Sequence, residues 1–340
     1  MENKFGDNSA MKSKAQILWI DDNAERKKQA TDLQDESHMN VKFIYVKNKN
    51  LADVVVDIRE SYKPELVIID QILDKTSSDS LTRLGSTLAG SIRETWEKCP
   101  ILGITAKTKL PQIDIEELAY DELIEGDRFS EYVRYIPNII EGFKKCGKVK
   151  DIEEWITLIK APKEEVERIK GCMPYDARTE EGVQKKGFAN RVYRWFRTKF
   201  YGMPGFLYDR DWVATFAGVK KEAIRKYMKN FESARYSGVF NDPDDPRWWK
   251  SKLYEVIYRK CGDQNAAYRI SQDVANEVLH VKKGDISKCY VCKEEWPETI
   301  AYVDRSKTAS VKQMHLRCTV AHPDYPYESM FEEIRIMEGE

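Results

Sequence analysis

Three short apolar runs limit what this chain can fold into. Ile17-Leu-Trp-Ile20, Leu66-Val-Ile-Ile69 and Ile101-Leu-Gly-Ile104 carry no charged or hydrogen-bonding side chain apart from the Trp19 indole. Each stops at an oxygen-bearing side chain: Asp21 followed by Asp22, then Asp70, then Thr105. Continuous rather than alternating hydrophobicity marks a strand covered on both faces, as in a parallel sheet flanked by helices. Between the runs lie helix-compatible stretches, residues 24–34, 51–62 (ended by Pro64) and 86–97. Val41–Val46 and Leu123-Ile124 read as two further strands, and residues 132–144 as a closing helix. Strand and helix alternate with short links, which predicts a doubly wound α/β domain with a parallel five-stranded sheet.

In such sheets the functional crevice lies beyond the carboxyl ends of the strands. Asp21, Asp22, Asp70 and Thr105 all fall at that edge. Three converging carboxylates repel one another unless a cation sits among them. A hard divalent ion such as Mg²⁺ takes oxygen ligands and suits the group. One carboxylate is then a candidate nucleophile toward a phosphoryl group. For any single aspartate a solvated turn former is the simpler reading. Four residues of suitable type at three successive strand ends favour a site.

The stretch from Ala15 to Lys145 resembles the receiver domain of two-component response regulators, a flavodoxin-like fold. The residues that carry the resemblance are Ile17-Leu-Trp-Ile-Asp-Asp22, Leu66-Val-Ile-Ile-Asp70 with Leu73, the helix holding Gly85, Leu88-Ala89 and Ile92-Arg-Glu94, and Ile101-Leu-Gly-Ile-Thr-Ala106. The resemblance implies that Asp70 is the phospho-acceptor and that Asp21 and Asp22 hold Mg²⁺ beside it. It implies that Thr105 hydrogen-bonds the phosphoryl group, and that a cognate histidine kinase or another phosphoryl donor is the partner. There is one departure. Receivers carry a lysine at the end of the fifth strand, usually followed by proline, but Tyr120-Asp-Glu-Leu-Ile-Glu-Gly-Asp127 has none, and Glu125 stands at that place. A glutamate there repels phosphate where a lysine attracts it. Lys107 is the candidate substitute in the sequence.

The middle of the chain is basic. Residues 185–235 hold 13 Lys and Arg against four Asp and Glu, the charge balance of a nucleic-acid face. Within it, Arg210 to Tyr227 resembles a helix-turn-helix. Val213, Ala214 and Ala217 fit the first helix, Gly218 the turn, and Val219, Ile224 and Tyr227 the packed side of the second. The exposed face then offers Lys220, Lys221, Arg225, Lys226 and Lys229 to DNA. The alternative is an ordinary helical hairpin with a solvated basic side. Trp248 and Trp249 read as core anchors.

Near the C-terminus, Cys289-Tyr-Val-Cys292 and His315-Leu-Arg-Cys318 pair a C-x₂-C knuckle with an H-x₂-C partner, and His322 is an alternate ligand. Two thiolates and an N/S pair form a closed tetrahedral set, the pattern of structural Zn²⁺. Thr299–Val303 and Val311–Met314 read as a hairpin between the two halves, in the manner of a zinc ribbon or treble clef. The other four of the seven cysteines, Cys99, Cys146, Cys172 and Cys261, are scattered.

The organisation expected is therefore a polar tail (residues 1–14), a receiver-like domain (15–145), a helical connector (146–180), a mainly α-helical output region with the helix-turn-helix (181–280) and a zinc module (281–340). The net charge of −1 conceals a split, since residues 1–145 carry −5 and residues 146–340 carry +4. No run approaches the ~18–20 apolar residues of a membrane span. An odd cysteine count and a polar start point to a reducing cytoplasm. The functional expectation is a response-regulator-like protein whose phosphorylation controls DNA binding, and not an enzyme beyond its own phosphoryl chemistry. The alternative is a phosphoryl-accepting or docking adaptor without DNA. Receivers often signal as dimers, and a homodimer is left open.

Overall fold

Ile17, Leu18, Trp19 and Ile20 are fully buried because their strand has a neighbour on each side and helices over both faces. This is seen in a computed structural model of the chain, which describes residues 16–47, 51–73, 85–105, 120–185, 187–202, 205–261, 273–295, 299–304, 310–315 and 318. The expected tail, the loop 74–84, Lys107 and His322 lie outside the described residues. Contacts divide the chain into two units, Met1–Lys148 with Lys186–Arg191, and Val149–Lys185 with Val192–Glu340.

The first unit runs β1 (Gln16–Asp21), α1 (Arg26–Ser37), β2 (Asn40–Tyr45), α2 (Leu51–Ser61), β3 (Leu66–Asp70), α3 (Gly85–Thr95), β4 (Ile101–Thr105), β5 (Glu122–Glu125), α4 (Phe129–Tyr132) and α5 (Ile136–Cys146). All strands are parallel, in the order β2-β1-β3-β4-β5. This is the flavodoxin-like order, with its switch point between β1 and β3. The three inner strands are the three apolar runs. The edge strands β2 and β5 are half-exposed and place Lys42, Glu122 and Glu125 there, which discourages further strand pairing. Helix α5 buries Ile136, Ile139, Ile140 and Phe143, the spacing of a single helical stripe, and places Lys144 and Lys145 at the negative end of its dipole.

Two buried devices fix the sheet's ends. At the amino end, the buried Asp121 carboxylate accepts from the Ile101 amide at 2.8 Å, from Arg93 at 2.6 Å and from Asn190 at 2.9 Å. At the carboxyl end, Gly85 opens α3 against β3, and its amide donates to the Gln71 carbonyl at 2.9 Å. A Cβ on Gly85 would lie 2.0 Å from the Asp70 carbonyl oxygen and 2.6 Å from the Tyr120 hydroxyl. The first of these obstacles is backbone. Gly85→Ala is therefore expected to lower the stability of the first unit by about 3 kcal/mol or more, the upper end of overpacking costs. The check is the urea midpoint of the full chain, and an unchanged midpoint would show that α3 can move aside.

The second unit is helical with two small ladders. The expected helical connector (146–180) holds two α-helices at its centre: α6 (Ile152–Leu158), capped by the Asp151 carboxylate on the Glu154 amide at 2.8 Å, and α7 (Val166–Cys172). The break falls at Lys160, whose φ is 52°, and at Pro162, which cannot donate to a helix. Next come α8 (Glu180–Gln184) and α9 (Phe188–Trp195), whose first residues, through Arg191, belong to the first unit; α9 widens into a π-turn over Phe196–Phe200. The aromatics of this basic stretch are core. Tyr193, Phe196 and Phe200 are fully buried, and Phe196 lies 5.3 Å from Phe200 and 5.4 Å from Phe240. Trp248 and Trp249 are buried as well. They form β7, antiparallel to β6 (Leu207–Tyr208), and lead into α11 (Lys250–Cys261).

The helix-turn-helix expectation needs correction. Its first helix, α10 (Arg210–Phe216), is capped by Asp209 on the Trp212 amide at 2.8 Å, and Gly218 takes the positive φ of the turn at 68°. No second α-helix follows. Residues Ile224–Lys226 and Met228–Ala234 wind as 3₁₀ turns. The Lys220 amide goes to the Asp285 carbonyl at 2.9 Å, and the Lys220 carbonyl accepts from both Ala223 and Ile224, at 2.9 and 3.1 Å. Further along, Lys226, Tyr227 and Asn230 close i→i−3 bonds. The C-terminal hairpin is present as β8 (Thr299–Asp304) antiparallel to β9 (Ser310–His315).

Candidate functional site

Parallel register delivers Asp21 and Asp70 to adjacent strand ends, one residue past the last paired apolar positions Ile20 and Ile69. Asp22 follows in the loop. One oxygen from each of Asp21, Asp22 and Asp70 lies within 4.8 Å of the others. At an effective dielectric of about 20, two carboxylates ~5 Å apart repel by roughly 3 kcal/mol. The burden shows in their proton affinities. Burial raises Asp21, against the Asn23 amide and the Trp19 indole, which donate to it at 2.8 and 3.3 Å. Asp70 is pushed up to about 7, first by burial and then by the charges of Asp21 and Asp22, against the Ile72 amide and Arg26. A set of oxygen donors this crowded, with negative charge this costly, fits a hard divalent cation.

The rest of the rim comes from β4 and β5. Thr105 ends β4 in a buried position, in register with Glu125. Glu125 thus stands beside Thr105, where the resemblance expects lysine. One functional candidate has no motif in the sequence. Arg26, the first residue of α1, reaches across to β5, and its Nη2 lies 3.1 Å from where a Cβ on Gly126 would be. Its only sequence signal is its place five residues after Asp21. Two buried polar atoms nearby, the Tyr120 hydroxyl and Gln71 Oε1, have no hydrogen-bond partner among the described residues.

A second cluster lies in the second unit. Cys289, Cys292, His315 and Cys318 bring one ligand atom each within 4.8 Å of the others. His315 Nδ1 stands 3.3 Å from the Cys292 sulfur and 3.9 Å from that of Cys318. With Zn–S of about 2.3 Å and Zn–N of about 2.1 Å, a tetrahedron has edges of roughly 3.6–3.8 Å, so the set fits one zinc ion. Burial raises the Cys289 thiol, but amides of His315, Cys292 and Val291 outweigh it and bring it down to about 7. Lys293, at φ 64°, folds the knuckle and donates its amide to the Cys289 carbonyl at 3.0 Å.

The five bases expected on one recognition helix are not brought to one helical face. Lys220 donates to the Gly284 carbonyl at 2.6 Å, and Lys226 pairs with Asp285 at 3.0 Å. Lys221 is half-buried, while Arg225 and Lys229 are exposed. Among the described residues, no helix is long and apolar enough to cross a membrane.

No family model matches the chain, and no curated protein matches it. Solved structures do. A two-component response regulator from Clostridium difficile is 20% identical, covers 37% of this chain and 94% of its own, and has a TM-score of 0.30. A response regulator from Thermotoga maritima, in complex with Mg²⁺ and BeF, is 23% identical over 35% of this chain and 96% of its own, with a TM-score of 0.28. A response regulator receiver domain protein from Methanospirillum hungatei is 13% identical over 39% of this chain and 98% of its own, with a TM-score of 0.29.

Proposed function

We propose that the first unit is a phosphoryl-accepting signalling domain, with Asp70 as acceptor and Asp21, Asp22 and Asp70 as the Mg²⁺ ligands. The observation that carries this reading is the convergence of the three carboxylates within 4.8 Å at the strand switch point of a flavodoxin-like sheet. Mg²⁺ bound there supplies positive charge for the carboxylates and the incoming phosphoryl oxygens. Asp21 already receives the Trp19 and Asn23 N–H groups, whereas Asp70 stays partly exposed at the edge. An Asp70 carboxylate oxygen attacks phosphorus. The bond from phosphorus to the donor's leaving group breaks, the electron pair departs with that group, and an acyl phosphate remains. The Thr105 hydroxyl, at the next strand end, is the donor to a phosphoryl oxygen. The donor molecule is a histidine kinase or a small phosphorylated metabolite. Incubated with acetyl phosphate and Mg²⁺, the wild-type chain is expected to gain the mass of one phosphoryl group, and Asp70→Asn to gain none. A wild type that stays unmodified, or an Asp70→Asn chain that is modified equally, refutes the assignment.

The second unit is read as a zinc-stabilised output module that meets nucleic acid through charge. Support comes from the basic excess of residues 185–235 and the exposure of Arg225 and Lys229. With Lys220 and Lys226 held by the turn at Gly284-Asp285 and no second α-helix to enter a groove, phosphate contacts dominate. Duplex DNA is expected to bind with an affinity that falls steeply with salt and weakens in the double variant Arg225→Ala, Lys229→Ala. A gel shift that is absent at low salt sinks this reading and leaves the phosphoryl chemistry standing.

A further inference from the structure

Counted over the described residues, the charges at the acid cluster leave a deficit that Mg²⁺ does not cover. A phosphoryl group adds about −2 to the −2 of Asp21 and Asp22, and a divalent ion returns only +2. Glu125, in register with Thr105, deepens the deficit. The structure places a cation at this rim from an unexpected direction. Arg26 leaves the first turn of α1, and its guanidinium Nη1 donates to Gln29 Oε1 at 2.5 Å. Its Nη2 rests over Gly126, where a Cβ would sit 3.1 Å away. Gly126 in turn donates its amide to the Thr105 carbonyl at 2.9 Å. A Cβ at residue 126 would crowd the guanidinium beside the end of β4 and displace it by a few tenths of an ångström. Among the described residues no carboxylate forms an ion pair with Arg26. Its charge nevertheless acts on both Asp21 and Asp70.

We propose that Arg26 is the phosphoryl-holding cation of this site, donating from α1 to an oxygen of the phosphoryl group on Asp70 and replacing the missing cation of the fifth strand. The assignment rests on the phosphoryl-accepting reading of Asp70. A guanidinium suits the task because its planar fork matches phosphoryl oxygens and keeps its charge when half-buried. Gln29 holds the fork in place before the ligand arrives.

The test uses the full chain as wild type, Arg26→Gln and Arg26→Lys. Mg²⁺ alone is titrated by calorimetry, beryllofluoride is titrated at saturating Mg²⁺, and the rate of phosphoryl gain from acetyl phosphate is followed by intact mass. Arg26→Gln is expected to slow phosphoryl gain and weaken beryllofluoride binding by about tenfold or more, the usual scale for losing a charge-assisted hydrogen bond. The same variant is expected to bind Mg²⁺ alone as tightly as wild type or tighter, because a competing positive charge has gone. Arg26→Lys recovers part of the loss. A merely structural arginine would weaken all three readouts together, which overturns the assignment. So does an Arg26→Gln rate within twofold of wild type, provided wild type takes up the phosphoryl group. A wild type that takes up neither phosphoryl group nor beryllofluoride overturns the reading of Asp70 itself, and the role of Arg26 falls with it.

Discussion

In the absence of divalent metal, Asp70→Asn is expected to be more stable than wild type at pH 7.5, by on the order of 2–4 kcal/mol. The carboxyl is pushed up to about 7 in the folded chain, first by burial and then by Asp21 and Asp22, from an ordinary value of 3.8. A raised carboxyl costs the fold stability wherever it must ionise. Above pH 7 both folded and unfolded chains are ionised at this position, and the cost is complete. As pH falls from 7 toward 4, the folded chain takes up the proton while the unfolded chain does not, and the cost fades. The advantage of the variant should therefore shrink to less than half by pH 5. Asn keeps the shape and removes the charge. Mg²⁺ reverses the order, because wild type gains the free energy of metal binding and the variant has lost one ligand. Urea unfolding in EDTA at pH 7.5 and pH 5, and again with Mg²⁺, gives the comparison. An Asp70→Asn chain less stable than wild type in EDTA at pH 7.5 would mean that the three carboxylates do not strain the fold.

The parts of this site that sequence reveals are those made by strand ends. Ile17–Ile20, Leu66–Ile69 and Ile101–Ile104 could be read because a strand buried on both faces leaves an uninterrupted apolar run, and the oxygen-bearing side chain after each run (Asp21, Asp70, Thr105) marks the sheet's carboxyl edge. Arg26 could not be found that way. Its relation to Gly126 is a long-range product of winding α1 back over the sheet, and neither residue belongs to a local pattern. The basic segment after Gly218 misled for the opposite reason. Val219, Ile224 and Tyr227 suit a packed helix, and Gly218 does take the turn's left-handed conformation. The 3₁₀ winding that follows leaves no mark in the spacing, and the segment's contact from Lys220 to Asp285 comes from 65 residues away. Tyr193, Phe196 and Phe200 alternate with arginines as nucleic-acid stacking residues do, yet their rings meet Phe240 and Trp249 in a core. Spacing alone does not tell a ring that stacks on a base from one that stacks on its neighbour.

Removing the proposed zinc from the second unit is expected to unfasten more than the hairpin, whose β9 ends on His315, one of the four ligands. A two-stranded hairpin is at best marginal in water, and β8 and β9 form such a pair. A closed Cys₃His site contributes apparent binding free energy on the order of 10 kcal/mol at neutral pH, and that energy is folding energy for the segment it closes. The segment is also tied to α10. Gln313 on β9 donates through its side chain to the Val219 carbonyl at 2.7 Å, and its own carbonyl accepts from the Tyr290 amide at 2.9 Å. The Ser287 amide donates to the Gly218 carbonyl at 2.9 Å, and Val219 bridges Ile286. The turn after α10 thus hangs on the segment that the proposed zinc site closes. One zinc per chain is expected by elemental analysis, falling well below one in Cys292→Ser. Hydrogen exchange should quicken first at the Tyr290 and His315 amides and then at Ser287, whereas the Asp121–Arg93 contact in the first unit should hold. If the chain contains no zinc, or if a strong chelator leaves the Tyr290 amide as protected as before, the four ligand residues are a cluster of reduced thiols around a histidine. The turn at Gly218 must then be held by its contacts with residues 284–287 alone.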